Sequence, residues 1–225
     1  MLQLRGSSSL WRLCETRLEF KTKTESDIDM KSESGVRTET IEVPLTARLA
    51  SEAERWATHG VRPEGIVEPG PGQESVWDYP RPPALQRVLD RVTIEFAGQT
   101  IADTTMAVRV CETASPPTYY IPLADIRSEF LRVGAGSSAC EWKGVATYFS
   151  LMVGRKESEQ CAWTYQNPTP EYDALVEMIA FYPDRVDRCT VGEFEVTPQP
   201  GEFYAGWITP DLVGPFKGEP GSHGW

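Results

Sequence analysis

The stretch VTIEFAGQTIADT, residues 92 to 104, sets Val92, Ile94 and Phe96 in alternation with Thr93 and Glu95. That is the period-two pattern of a half-buried strand. Ala97-Gly98-Gln99 forms a turn into a second strand, Thr100 to Asp103. Toward the C-terminus the texture recurs. Ala107 to Glu112 alternates, with Val108 and Val110 on one face and Arg109 and Cys111 on the other. Pro116-Pro117 breaks the chain and places Tyr119-Tyr120-Ile121 on a loop. Leu123 to Leu131 reads as a short helix or turn. Gly134-Ala135-Gly136 reads as a loop leading to Cys140 to Gly144 and the long strand Val145 to Val153. Glu159 to Tyr165 forms another strand, with Cys161, Trp163 and Tyr165 on one face. Asn167-Pro168-Thr169-Pro170 opens a short helix over Glu171 to Met178, and Ile179 to Tyr182 and Arg188 to Val191 complete the sheet. The expected fold from these patterns is mainly β with short helices.

Toward the N-terminus, VWDYPRPP (Val76 to Pro83) is an extended aromatic arm, because consecutive prolines exclude helix. Pro63, Gly65, Pro69, Gly70, Pro71 and Gly72 make a linker. Thr46 to Thr58 has helical composition, with Leu45, Leu49 and Trp56 at one-face spacing. Residues 15 to 42 interleave charged and hydroxyl side chains and read as a mobile tail, with Met30 inside it an alternative start. The expected layout is a flexible extension over 1–73, carrying a helix within 45–58 and the linker, then a β domain over 74–225. Residues 193–225 form its ordered Gly/Pro/aromatic tail.

The chain has 225 residues, 40% of them apolar, and a net charge of −11. Nucleic-acid binders draw their affinity from basic faces, so that partner class is not expected. No run approaches the ~20 apolar residues of a bilayer span, and a membrane partner is not expected either. The five cysteines include no close pairs, which argues against a disulfide scaffold. The N-terminal arginines lack an apolar run behind them, and Glu15, Glu19 and Glu25 interrupt a transit-peptide pattern. A cytoplasmic location is the expectation, with oligomeric state left open.

Two histidines, His59 and His223, are the whole supply, and both lie outside the expected core. Ser-His-Asp and Cys-His mechanisms need an imidazole beside the nucleophile, so neither is expected. Cysteine spacing signals no zinc site, and neither a P-loop nor a G-x-G-x-x-G fingerprint is present. Asp27-Ile28-Asp29 is a solvated acidic pair. No metal and no organic cofactor are expected, and proton transfer falls to Glu, Asp, Lys, Tyr or Cys.

The ordered series ESVWDYPRPP (Glu74 to Pro83), IADT (Ile101 to Thr104), PPTYYIP (Pro116 to Pro122), CEWKG (Cys140 to Gly144), AWTYQNPTP (Ala162 to Pro170) and GWITPDLVGPFKGEPGSHGW (Gly206 to Trp225) resembles the DUF427 family over about residues 74 to 225. The resemblance implies a β-rich fold similar to tent-like or barrel-like two-sheet domains whose aromatic side chains line a small-molecule pocket. It implies no agreed activity. The family carries a nucleotidyltransferase label, yet Gly136-Ser137 is followed by no D-x-D pair.

Within CEWKG a strand period puts Glu141 and Lys143 on one face and Cys140 and Trp142 on the other. The pair reads either as a pocket acid and base or as an ion pair beside a core Trp. Tyr119 and Tyr120 can donate to a developing oxyanion or anchor their segment. Arg109 suits a ligand carboxylate and Glu112 a general base, or the two pair with each other. Trp142, Tyr148, Trp163 and Tyr165 line a ligand box or pack as core, and Cys140 ranks below Glu141 and Lys143 as a reactive group. The expected catalytic set is Glu141, Lys143, Glu112 and Tyr120. The expected substrate-binding set is Arg109, Tyr119, Trp142, Tyr148 and Trp163. The expected partner is a small-molecule ligand, processed by acid/base chemistry or simply bound.

Overall fold

A computed structural model describes residues 35–57, 62–201, 203–222 and 225. His59, His223 and most of the N-terminal extension lie outside the described residues.

Strand β1 (Thr38–Ile41) and helix α1 (Ala47–Ala57) precede the short β2 (Glu74–Ser75). There follow β3 (Ala84–Val88), β4 (Val92–Phe96), β5 (Gln99–Thr104), β6 (Val108–Cys111), β7 (Thr118–Pro122) and β8 (Leu131–Cys140). Next come β9 (Gly144–Val153), β10 (Lys156–Thr164), β11 (Met178–Phe181) and β12 (Arg188–Val191). The short strands β13 (Phe194–Glu195), β14 (Thr197–Pro198), β15 (Trp207–Ile208) and β16 (Leu212–Val213) close the chain.

Eight strands form one large sheet in the order β1-β3-β6-β7-β11-β10-β9-β8, and four form a second, β13-β12-β4-β5. The mainly β, two-sheet expectation holds. The barrel variant does not: among the described residues the large sheet stays open, with β1 and β8 at its edges.

The hairpin of β4 and β5 turns at Ala97 and Gly98, both at positive φ, as a tight right-twisted hairpin requires. Its inward residues Val92, Ile94 and Ile101 meet Tyr119, Ile121, Phe181 and Trp207 in one buried cluster between the two sheets. Each such side chain contributes roughly 1.5–3 kcal/mol of burial. On β7 the neighbouring Tyr120 points the other way, into a second cluster with Trp142, Trp163, Tyr165 and Tyr182.

Several local readings change. Tyr119 and Tyr120 lie on strand β7, not on a loop, because Thr118 to Ile121 is a β-branched and aromatic run that pairs with both β6 and β11. Gly134 to Gly136 belong to β8 as an irregularity between Val133 and Ser137, and Gly136 supplies the positive φ. Glu141, Trp142 and Lys143 form the hairpin turn between β8 and β9. Cys140 pairs with Gly144, whose φ of 102° is a glycine conformation, so a strand period does not apply across them. Cys161 parts from Trp163 and joins the inter-sheet cluster, since the register shifts between Ser158 and Ala162 around Gln160 at φ 47°.

Residues 38–41, placed in the tail by composition, form edge strand β1 against β3. Thr and Ile at these positions suit an edge strand, and the pairing supplies the order that composition lacks. No helix of the described residues is long and apolar enough to cross a membrane.

Candidate functional site

The face of the large sheet that carries Tyr120 also carries the site. Cross-strand register puts Tyr148, Trp163, Ala180, Tyr120 and Val108 in one row over β9, β10, β11, β7 and β6, and residues in one row point to one face. Small Ala180 leaves space between the aromatic residues beside it. Over this row lies a cavity of about 310 Å³, the lower end of the small-molecule range.

Lys143 is only 8% exposed and lines this cavity. No carboxylate of the described residues lies within 4 Å of its Nζ, which instead sits 5.9 Å from the centre of the Tyr165 ring. Burial works against the ammonium, but the neighbouring Cys140, Tyr120 and Glu112 more than offset it, and its proton affinity ends above that of free lysine. Next to it Trp142 Nε1 is buried with no hydrogen-bond partner among the described residues. Both residues line the cavity, Lys143 with a charge that has no close carboxylate among the described residues and Trp142 with an indole N–H that is buried and unsatisfied. Buried polar groups ordinarily have partners.

Tyr120 Oη accepts from Trp163 Nε1 at 3.3 Å, and burial pushes its phenol up to about 12. It is thus a neutral donor at neutral pH. Glu112 reaches the cavity from the end of β6 and is held by Arg81 Nε at 3.3 Å. The Arg81 guanidinium in turn lies 5.0 Å from the Trp56 ring of α1. Tyr148 is fixed by Ser138 at 2.8 Å, and Trp163 leans on Tyr182 with ring centres 4.8 Å apart.

Of the expected site residues, Glu112, Tyr120, Trp142, Lys143, Tyr148 and Trp163 converge on this cavity. Glu141 stands at its rim, exposed on the turn, and does not share a face with Lys143. The other two lie on the opposite face. Arg109 is fully buried, with Nη1 and Nη2 at 2.6 and 3.1 Å from the Glu74 carboxylate and Nε at 2.8 Å from Gln86 Oε1. Tyr119, also fully buried, stacks on Trp207 at 4.9 Å, and burial raises its phenol. Arg109 and Glu112 do not pair with each other; each has its own partner from residues 74–81.

Sequence reading missed Trp56, Lys217, Phe203 and Tyr204, which close the cavity from α1 and from the C-terminal wrap. Burial, followed by Arg81, lowers the proton affinity of Lys217, whose Nζ donates to Trp225 O at 2.7 Å. These residues come from segments without alternation, so only their aromatic and cationic character was available as a signal.

The helix is fastened by Glu171. Its carboxylate accepts from Thr46 and lies 2.8 Å from Arg48 Nη2. The Arg48 hydrogen bond leads the effects that hold it down to about 2. A folded-state value below the ordinary carboxylate value means stability fully present above about pH 4.3 and lost as pH falls toward 2. Helix α1 should therefore detach in that window, seen as a change in Trp56 fluorescence. Glu171→Gln should remove this acid transition and weaken docking at neutral pH.

Together these features define a mainly β domain with one aromatic, lysine-bearing cavity of small-molecule size. Residues 84–192 match the family described as Domain of unknown function (DUF427). The match covers Glu112, Tyr120, Trp142, Lys143, Tyr148 and Trp163 and leaves out α1 and the C-terminal wrap. No curated protein matches the chain.

Proposed function

We propose that the cavity takes a small organic anion with a planar apolar body, and that the chain acts on it by proton transfer without an organic cofactor. The observation that carries this reading is the buried Lys143 ammonium, which lines an aromatic cavity with no carboxylate of the described residues within 4 Å. A carboxylate placed there gives the ammonium a charge-assisted contact. The aromatic row beneath offers faces for a ring.

Glu112 is then the general base. Arg81 fixes one of its oxygens at the cavity wall, in reach of the substrate. Tyr120 donates to the oxyanion that forms when a proton leaves a carbon beside a carbonyl, and Lys143 stabilises the same charge. Isomerase, lyase, cyclase and hydrolase reactions all use such a set. The aromatic lining and the Arg81 hold on Glu112 equally suit a module that binds its ligand without changing it.

Screening aromatic and unsaturated carboxylates by tryptophan fluorescence and then by product analysis tests the proposal. Glu112→Gln should retain ligand binding within about threefold while lowering turnover by 10²–10⁴, the usual contribution of a general base. Recovery of every bound carboxylate unchanged would leave a binding module, and unaltered turnover in the variant would remove Glu112 from the mechanism.

A further inference from the structure

The turn that carries Trp142 and Lys143 is held by a residue outside the matched family region. Arg48 of α1 donates from Nη1 to Glu141 O at 2.9 Å and from Nη2 to Trp142 O at 3.1 Å. The same guanidinium reaches Thr169 Oγ1 at 3.1 Å and grips Glu171. Thr169 completes the clamp, its hydroxyl donating to Trp142 O at 2.6 Å and its backbone N–H to Lys143 O at 3.1 Å. All three carbonyls of the turn are thereby fixed, and what fixes two of them comes from residues 47–57.

A three-residue hairpin turn is among the more adaptable parts of a β fold. This one must hold a buried ammonium inward, although solvation favours turning it out. Arg48 supplies the constraint, since a planar fork satisfies two carbonyls and a carboxylate at once. Trp56, two turns further along the same helix, forms part of the cavity wall and receives Arg81 on its ring. The helix thus touches both ends of the expected machinery, the Lys143 turn and the Arg81–Glu112 pair.

We infer that Arg48 is the positioning residue for Lys143, so that the segment ahead of the matched DUF427 region is an integral part of the site. The inference rests on the anion-binding reading above only for its functional consequence; the positioning itself stands on the hydrogen bonds.

The test uses the full chain with Arg48→Met and Arg48→Lys, benzoate as probe, and reductive methylation of Lys143 followed by mass spectrometry. Arg48→Met should weaken benzoate binding about tenfold, as loss of a charged hydrogen bond does. It should speed methylation of Lys143 by a similar factor while leaving Lys156, on the distant β9–β10 hairpin, unchanged. Arg48→Lys retains the ion pair with Glu171 and should recover the melting temperature, yet a point-like ammonium cannot bridge the carbonyls. Both Lys143 effects should therefore persist in it. In a Lys143→Met background, adding Arg48→Met should leave benzoate affinity unaltered.

Unchanged methylation in Arg48→Met, or full recovery of methylation and affinity by Arg48→Lys, would overturn the inference and leave Arg48 a fastening for the helix. Faster methylation in a protein that never binds benzoate would sustain the positioning role and count against the anion site instead.

Discussion

Replacing Lys143 by Met is expected to cut benzoate affinity about 100-fold, while the variant melts at the same temperature as the parent or slightly above it. The two halves follow from one feature. A buried ammonium that forms a charge-assisted contact with a ligand is worth about 3 kcal/mol to binding, or two decades in Kd. In the free protein that ammonium has no carboxylate within 4 Å among the described residues, and the nearby Tyr120 is a neutral phenol at neutral pH. Of the groups that offset its burial, the phenol then carries no charge and Glu112 is held by Arg81, so at neutral pH the ammonium's desolvation is only partly compensated. Methionine keeps the length and volume of the stem without the charge. A residue present for packing gives the opposite signature, lower stability and little change in binding. Titration by tryptophan fluorescence with thermal melts on the same samples reads both quantities.

Glu74→Gln should lower stability by about 3–5 kcal/mol, the cost of leaving a buried charge without its partner. For a chain of this size that is a fall in Tm on the order of 10 °C. Arg109 is fully buried and bound at both terminal nitrogens by Glu74, so the lost carboxylate strands a guanidinium in the interior. Pairing the change with Arg109→Met removes the stranded charge and should recover most of the loss. Benzoate affinity should stay within about twofold of the parent in the double variant, because Arg109 lies on the far face of the sheet. A loss of affinity with an unchanged melt would instead give Arg109 the ligand role that its residue type suggested.

Alternation exposed Val92 to Phe96 and Ala107 to Glu112 most clearly, while Val145 to Val153 was legible from its β-branched and aromatic composition. The cavity row was legible in residue type, since Tyr120, Tyr148 and Trp163 stand on strands with recognisable patterns. Their convergence was not, because it depends on register across four strand pairings, and β10 carries a register shift that sends Cys161 and Trp163 to different clusters.

The misreadings share a cause. CEWKG looks like a strand until Gly144 is seen to take positive φ, which makes Glu141 to Lys143 a turn and separates Glu141 from Lys143. Arg109 was read toward a ligand carboxylate or toward Glu112 because its partner Glu74 is 35 residues away at the start of the arm that was read only as extended chain. Thr38 to Ile41 lacks apolar residues on a continuous face, and only the β3 edge reveals it as a strand. Arg48 carried no signal at all, since a helix-surface arginine ordinarily points to solvent.

A crystal structure of the full chain with benzoate bears most directly on the account. It should place the carboxylate within about 3.2 Å of Lys143 Nζ, with the ring over the row formed by Tyr120 and Trp163. Benzoate bound elsewhere, or Lys143 turned out to solvent while the cavity holds the ligand, would contradict it.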